Sequence, residues 1–377
     1  MLRQGRLLSD FYVAEVMKTR PADQVRPEKL ARTAILRPAQ LRLAIVFSGG
    51  LAFRANAEPA QSALRPAGVQ ASHILALWNV TLTVCSLVFA AVLIALLIAV
   101  TRAPRSSRDA RADLESNERP EKRLRRVVSG ASIASVAVLF CLLLADVLTD
   151  RALSRLPVAD AVHLEMTGHQ WWWEARYDDD TPGGSFAVAN ELHVPVGRPV
   201  IVSLKADDVI HTFWVPNLHG KKDMIPGRTS TIEFRADQAG TYRGQCAEFC
   251  GLEHALMAFS VVAEPPARYD AWVAHQRAVA PQPANGLQAQ GEHLFTAGAC
   301  AGCHTVRGTS AHGVLGPDLT HVMSWPMLAA GTFENTPANM ESWIKAPGSM
   351  KPGTTMPASQ FSARELKALL AWLETLQ

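Results

Sequence analysis

The chain has 377 residues, too many for one ordinary domain and enough for two domains plus a membrane anchor. Its hydrophobic residues, 48% of the total, are clustered, and so are the basic residues behind a net charge of only +3. That balance gives no ground for a nucleic-acid partner, and none is expected. The cysteines fall as two singles in apolar runs, Cys85 and Cys141, and two close pairs, Cys246/Cys250 and Cys300/Cys303, set beside His and Met. Pairs placed in this way read as cofactor ligands rather than a disulfide framework.

Residues 1–42 are rich in Arg and show no periodic pattern. The apolar run Leu43–Phe53 follows, then Arg54-Ala55-Asn56-Ala57, which reads as a secretory signal cut after Ala57. The run is too short to span a bilayer. No cysteine lies near the cut, so a lipid-modified N-terminus is not expected. Residues 1–57 are therefore read as an N-terminal extension and signal peptide.

Two longer runs, Val80–Val100 and Val127–Leu148, reach the length of a transmembrane helix, and Asp146 is the one charge in them. They predict a hairpin within residues 58–150, with helices at about 78–101 and 127–149. The connecting loop, 102–126, carries Arg102, Arg105, Arg108, Arg111, Arg119, Lys122, Arg123, Arg125 and Arg126, whereas Glu58–Trp78 carries only Arg65. The bias places the loop in the cytoplasm and everything after residue 150 outside it, as in a two-helix protein of the bacterial inner membrane.

Between about 155 and 264 the pattern changes to short β-type runs: Val162–Met166, Glu191–Val194, Pro199–Leu204, Thr231–Phe234 and Phe259–Val262. Turn residues separate them, which predicts an all-β sandwich or barrel. Residues 265–286 read as a linker with a helical start at 266–277. Residues 287–377 read as an all-α domain, clearest in Ala363–Leu376.

The β segment holds the first chemical constellation. His211 stands in Asp208-Val-Ile-His-Thr-Phe-Trp-Val-Pro216, and Gly244-Gln-Cys-Ala-Glu-Phe-Cys-Gly-Leu-Glu-His-Ala-Leu-Met257 follows. Two thiolates, two imidazoles and a thioether form a soft donor set that suits copper and electron transfer. Two cysteines let a pair of sulfurs bridge two metals. A Cys2His2 zinc site is the rival reading, although it would not need Met257 and zinc passes no electrons. The nearby His219 is read as a surface loop residue.

These segments resemble the dinuclear copper (CuA) region of cytochrome c oxidase subunit II, as do Lys221-Lys-Asp-Met-Ile-Pro-Gly-Arg228 and Gly168-His-Gln-Trp-Trp-Trp-Glu-Ala-Arg-Tyr177. The resemblance covers about 74–264. It implies a cupredoxin-like fold with His211, Cys246, Cys250, His254 and Met257 as side-chain ligands, and the carbonyl of Glu248 as a further one. It also implies that the Glu248 carboxylate reaches a magnesium ion shared with subunit I. Trp171 is implied as the point where electrons reach copper, although an aromatic run after a membrane segment also fits an interfacial belt. The sequence departs from the family at the second helix, where many members have Glu-x-x-Trp-Thr. Here Glu118 and Glu121 precede Lys-Arg-Leu-Arg-Arg, a pattern that reads as a solvated charge cluster.

The second constellation is Cys300-Ala-Gly-Cys-His304, a haem c attachment signature. Glu292–Thr305 reads as a helix running into it, and Gly316-Pro-Asp-Leu319 and Lys351-Pro-Gly-Thr-Thr-Met-Pro357 follow. This layout resembles a class I cytochrome c. It implies His304 and Met356 as axial ligands, Met356 being selected over Met350 by the proline after it, with Pro317 and Leu319 against the haem edge.

The whole chain is thus expected to be a multidomain membrane protein: a two-helix hairpin, a cupredoxin-like domain with two coppers, and a cytochrome c domain with one haem. The expected role is subunit II of a haem-copper cytochrome c oxidase, a proton-translocating oxidoreductase. It would relay electrons from an upstream cytochrome through haem c and copper to haem a of subunit I, with subunit III as a further partner. A nitric oxide reductase subunit or a membrane-anchored electron carrier is the alternative.

Overall fold

The computed structural model describes residues 61–102, 118–154, 156–157, 159–178 and 184–377. The expected signal segment and cleavage site, and most of the basic loop, lie outside these residues, as does the Glu118 side chain. Helix α1 (Val69–Arg102) and helix α2 (Glu118–Leu153) are both long and apolar enough to cross a membrane. Their apolar side chains, Phe89, Leu97, Ile133 and Phe140 among them, are exposed, as lipid-facing residues of a hairpin are. Glu121 is exposed as well.

Both helices outrun the apolar stretches that mark them in the sequence. The first turns of α1 are held by the β domain instead. Ala71 N donates to Leu218 O at 3.1 Å, and Gln70, buried, accepts from Arg235 N at 3.2 Å.

The β domain is built from β1 (Val162–His169), β2 (Trp172–Tyr177), β3 (Phe186–Ala189), β4 (Glu191–Pro195), β5 (Val200–Ala206), β6 (His211–Trp214), β7 (Lys221–Met224), β8 (Ser230–Phe234), β9 (Gly240–Gln245) and β10 (Ala258–Glu264). One sheet has the order β3-β2-β1-β5-β8 and a second the order β4-β10-β9, while β6 and β7 pair as a hairpin. The pairs β1/β5 and β4/β10 are parallel and the others antiparallel. Strand β5 shows why the sheets close. Val200, Val202, Leu204 and Ala206 point into the core, and Ile201, Ser203 and Lys205 alternate outward. The core joins both sheets, with Met166, Leu204, Leu192 and Val261 in one cluster. Burying each such side chain is worth roughly 1.5–3 kcal/mol.

Helix α3 (Pro266–Gln276) occupies the first half of the expected linker and packs on the sandwich. Tyr269 enters the core, and Trp272 stacks on His193 with centroids 4.0 Å apart. The chain then enters the C-terminal domain: α4 (Gly286–Thr296), the short hairpin β11 (Met327–Leu328) and β12 (Phe333–Glu334), α5 (Pro337–Lys345), α6 (Pro347–Met350) and α7 (Ala363–Leu373). Caps set the ends of these helices: Asn285 accepts from Gln288 N, and Ser362 and Glu365 form a capping box. Helices α4 and α7 cross so closely that a Cβ at Gly291 would lie 2.1 Å from Ala368 O. Phe295 and Trp372 fill that crossing, with centroids 5.2 Å apart.

The second half of the linker is also tied down, since Ala280 N donates to Arg307 O at 2.9 Å.

Candidate metal centre and haem-attachment site

Strand β6 begins at His211, and β9 ends just before Cys246, so two sequence-distant strands deliver the first two donors to one place. The loop from Cys246 to Met257 then turns back through a single 3-10 turn (His254–Leu256) into β10. Its neck is closed by Cys246 N donating to Met257 O at 3.0 Å, and Ala247 N ties it to Thr212 O at 3.3 Å. The tight bend falls at Gly251, with φ +117, where a Cβ would meet Trp171 Cζ2 at 2.9 Å. A larger residue fits neither the backbone conformation nor the space.

This arrangement brings the expected donors together. Ligand atoms of His211, Cys246 and Cys250 all lie within 4.8 Å of one another, and all three residues are buried. His254 Nδ1 is 3.6 Å and Met257 Sδ 3.8 Å from Cys250 Sγ, and Glu248 O is 3.2 Å from Cys246 Sγ. The Glu248 side chain itself is exposed. Both thiols are free.

The Cys246 pKa is pulled down to about 3, first by the hydrogen bond from Cys250 and then, against burial, by His211. The same contact with Cys246 pushes Cys250 up. A thiophilic metal binds such cysteines as thiolates and displaces their protons. Burial works against a charged His211, yet its bonds to Cys246 and Asp208 hold its pKa above the ordinary value.

Asp208, three residues before His211, orients its imidazole. Its Oδ1 lies 2.8 Å from His211 Nε2, so the other ring nitrogen, Nδ1, faces the sulfurs. Its Oδ2 accepts from Gln170 N at 2.6 Å. The Trp171 indole donates to Cys250 O at 3.0 Å, and the Gln170 amide to the same oxygen at 2.7 Å. Trp173 is fully buried against Phe259, and Trp171 and Trp172 are half-buried. The aromatic run thus packs on the metal loop. His219, expected on the surface, is half-buried, and burial lowers its pKa to about 4.

In the C-terminal domain α4 ends at Thr296, short of the expected Thr305. A Cβ at Gly298 would sit 2.3 Å from Leu294 O, so the chain leaves the helix there. A 3-10 turn over Ala299–Gly302 then presents Cys300 and Cys303, both half-buried, with His304 N bonded to Cys300 O at 2.9 Å. His304 Nδ1 donates to Pro317 O at 2.9 Å. Burial lowers its pKa, so the ring is neutral and Nε2 keeps its lone pair for a metal. The orienting group is the Pro317 carbonyl, a role that side-chain motifs do not reveal. Leu319 packs at the margin of the second core. Met350 closes α6 and Met356 follows in coil, and both are half-buried.

His211, Cys246 and Cys250 gather in one place, and one short turn presents Cys300, Cys303 and His304. The profile of the periplasmic domain of cytochrome c oxidase subunit II matches residues 182–264, and that of cytochrome c matches residues 288–377. The chain is similar to cytochrome c oxidase subunit 2 of Alkalihalophilus pseudofirmus, with 40% identity over 58% of this chain and 62% of the relative. It is also similar to cytochrome c oxidase subunit 2 of Bacillus sp. strain PS3, with 31% identity over 58% of this chain and 63% of the relative. The match thus spans less than two thirds of these relatives. Among solved structures, the periplasmic domain of subunit II of cytochrome oxidase of Bradyrhizobium japonicum aligns at 31% identity over 31% of this chain and 93% of that chain, with a TM-score of 0.29.

Proposed function

We propose that this chain is the electron-relaying subunit II of a haem-copper cytochrome c oxidase, because residues 182–264 match the profile of the periplasmic domain of that subunit and residues 288–377 match that of cytochrome c. Its task in that reading is to take electrons from an upstream cytochrome and hand them, through haem c and then CuA, to haem a of subunit I. Oxygen reduction and proton pumping would follow in subunit I, with subunit III as a further partner. When bound, the copper pair and haem c supply reversible one-electron chemistry, and all else is the work of this chain's residues.

His211, Cys246, Cys250, His254, Met257 and the Glu248 carbonyl would hold the copper pair. Burial of His211, Cys246, Cys250 and Met257 excludes water from that side of the site. Asp208 fixes the His211 tautomer. Trp171 is proposed as the point where electrons reach copper, a role supported by its indole bond to Cys250 O. The exposed Glu248 carboxylate is free to meet a magnesium ion at the boundary with subunit I. In the second domain Cys300, Cys303, His304 and Met356 would hold haem c, the two cysteines covalently. The two helices would cross the bacterial inner membrane, with loop 102–126 cytoplasmic and both redox domains on the outer face.

The observation that carries this reading is the buried cluster of His211 with two free thiols, donors set for copper rather than for a disulfide. The test is a pair of variants in the assembled oxidase. Cys250→Ser puts a hard oxygen in place of a thiolate and should abolish the dinuclear copper signal. On rapid mixing with a reduced cytochrome, haem c should still be reduced while haem a stays oxidised. Cys303→Ala should leave copper intact and slow electron uptake from the donor, with small mediators still able to reduce the complex. Reduction of haem a at the normal rate in Cys250→Ser would refute the relay.

A further inference from the structure

We infer that Lys351 and Glu253 form a latch that sets the register of the cytochrome domain on the copper loop. The inference deepens the relay reading by naming the residues that fix the two redox domains against each other. Lys351 opens the segment that runs to Met356, and Glu253 immediately precedes His254. Lys351 Nζ lies 2.9 Å from Glu253 Oε2 and donates to Trp171 O at 3.0 Å. The two side chains are 3% and 1% exposed, although they belong to different domains. The two loops also touch alongside the pair, since a Cβ on Gly353 would lie 3.2 Å from Leu252 Cβ. A backbone bond from Ala258 N to Ala330 O, at 3.0 Å, joins the domains again at the end of the copper loop.

The burial of this pair determines what it does. A solvent-exposed pair would be screened by salt and would hold little. A buried pair gains little net stability, because desolvation of both charges offsets their attraction. It does set register: a shifted docking that kept them buried would leave two charges unpaired. Among the described residues Glu253 Oε1 is buried and makes no hydrogen bond. Lys351 also reads the position of Trp171 through the backbone carbonyl, and the indole of Trp171 is bonded to Cys250 O. One ammonium group thus ties the cytochrome domain both to the copper loop and to the residue proposed to pass electrons to it. Lys351 is in this sense a positioning residue.

The test uses the full-length chain, loaded with copper and haem, in detergent. Removing both charges in Lys351→Met/Glu253→Gln avoids a lone buried charge, so the fold should survive and only the register should suffer. Amide hydrogen exchange in Cys250–Met257 and Lys351–Met356 should rise at least about tenfold, with the cores of both domains still protected. The copper spectrum should persist, which shows that the loop still binds metal. The charge swap Lys351→Glu/Glu253→Lys should restore part of the protection, which a purely steric role for either side chain would not allow. Unchanged protection of the two loops in the uncharged variant would overturn the latch. So would an equal rise across both domain cores, because the pair would then stabilise folding rather than docking. If the loops open in the variant, but haem c passes no electron to copper even in the parent chain, the latch stands and the relay reading fails.

Discussion

The two proposed redox centres are built in different ways. Four of the proposed copper donors are buried in the sandwich, His211 and Met257 at 0% exposure, Cys246 at 2% and Cys250 at 3%, while His254 is half-buried. They are delivered by strands β6, β9 and β10, whose positions depend on the whole domain. In the second domain Cys300, Cys303, His304 and Met356 are all half-buried, and Cys300 packs at the margin of a small helical core. The local order of Cys300, Cys303 and His304 comes from a single short turn and a carbonyl. A core-embedded site has its geometry fixed by packing, whereas a marginal one depends on the covalent and axial bonds it makes.

The haem side should therefore be the more sensitive to a change of one ligand. Met356→His should remove the sulfur-to-iron band and lower the potential on the order of 0.1 V, within the roughly 0.8 V range that axial ligation commands. Met350→Ala should leave the band in place. Loss of the band in Met350→Ala, with its retention in Met356→Ala, would move the ligand to Met350.

Packing can be attacked separately in each region. Gly291→Ala drives a Cβ to 2.1 Å from Ala368 O, and Gly244→Ala drives one to 2.3 Å from the Phe259 ring. Each should cost about 1–3 kcal/mol. In calorimetry the first should lower the transition of the cytochrome domain and the second that of the sandwich. A single transition that moved with either change would show that the domains unfold together.

Asp208→Asn probes how far the core alone can hold the copper ligands. With the His211 ring no longer held by a carboxylate, copper affinity in a chelator competition should fall roughly 10–100-fold, with the haem spectrum unchanged. An affinity equal to that of the parent chain would mean that packing against Trp173 suffices to orient the imidazole. The smallest effect belongs to the exposed pair Lys345–Glu341, 3.6 Å apart on α5. Lys345→Ala should shift stability by less than about 0.5 kcal/mol, and urea unfolding should show almost no change in midpoint.

Much of this protein is determined locally. The membrane helices are readable because a bilayer demands a long uncharged run, and β1, β4, β5, β8 and β10 because their β-branched residues alternate or cluster. Most of the proposed copper and haem donors are readable because Cys, His and Met are chemically distinct and fall in tight runs, Cys246 to Met257 and Cys300 to His304. Strand β7 is not readable in this way. Three of its residues, Lys221, Lys222 and Asp223, are exposed, and pairing with β6 alone makes the segment a strand. Strand β2 begins in a tryptophan run whose composition says membrane interface as readily as sheet.

The tertiary structure decided what depends on partners distant in sequence. Asp208 and Pro317 matter only because a ring nitrogen comes to rest against each of them. Glu253 and Lys351 are ordinary charged loop residues until the chain brings them together in a place without water. A charge carries no sign in the sequence of whether it will be solvated or buried, because burial is a property of the neighbours that folding supplies.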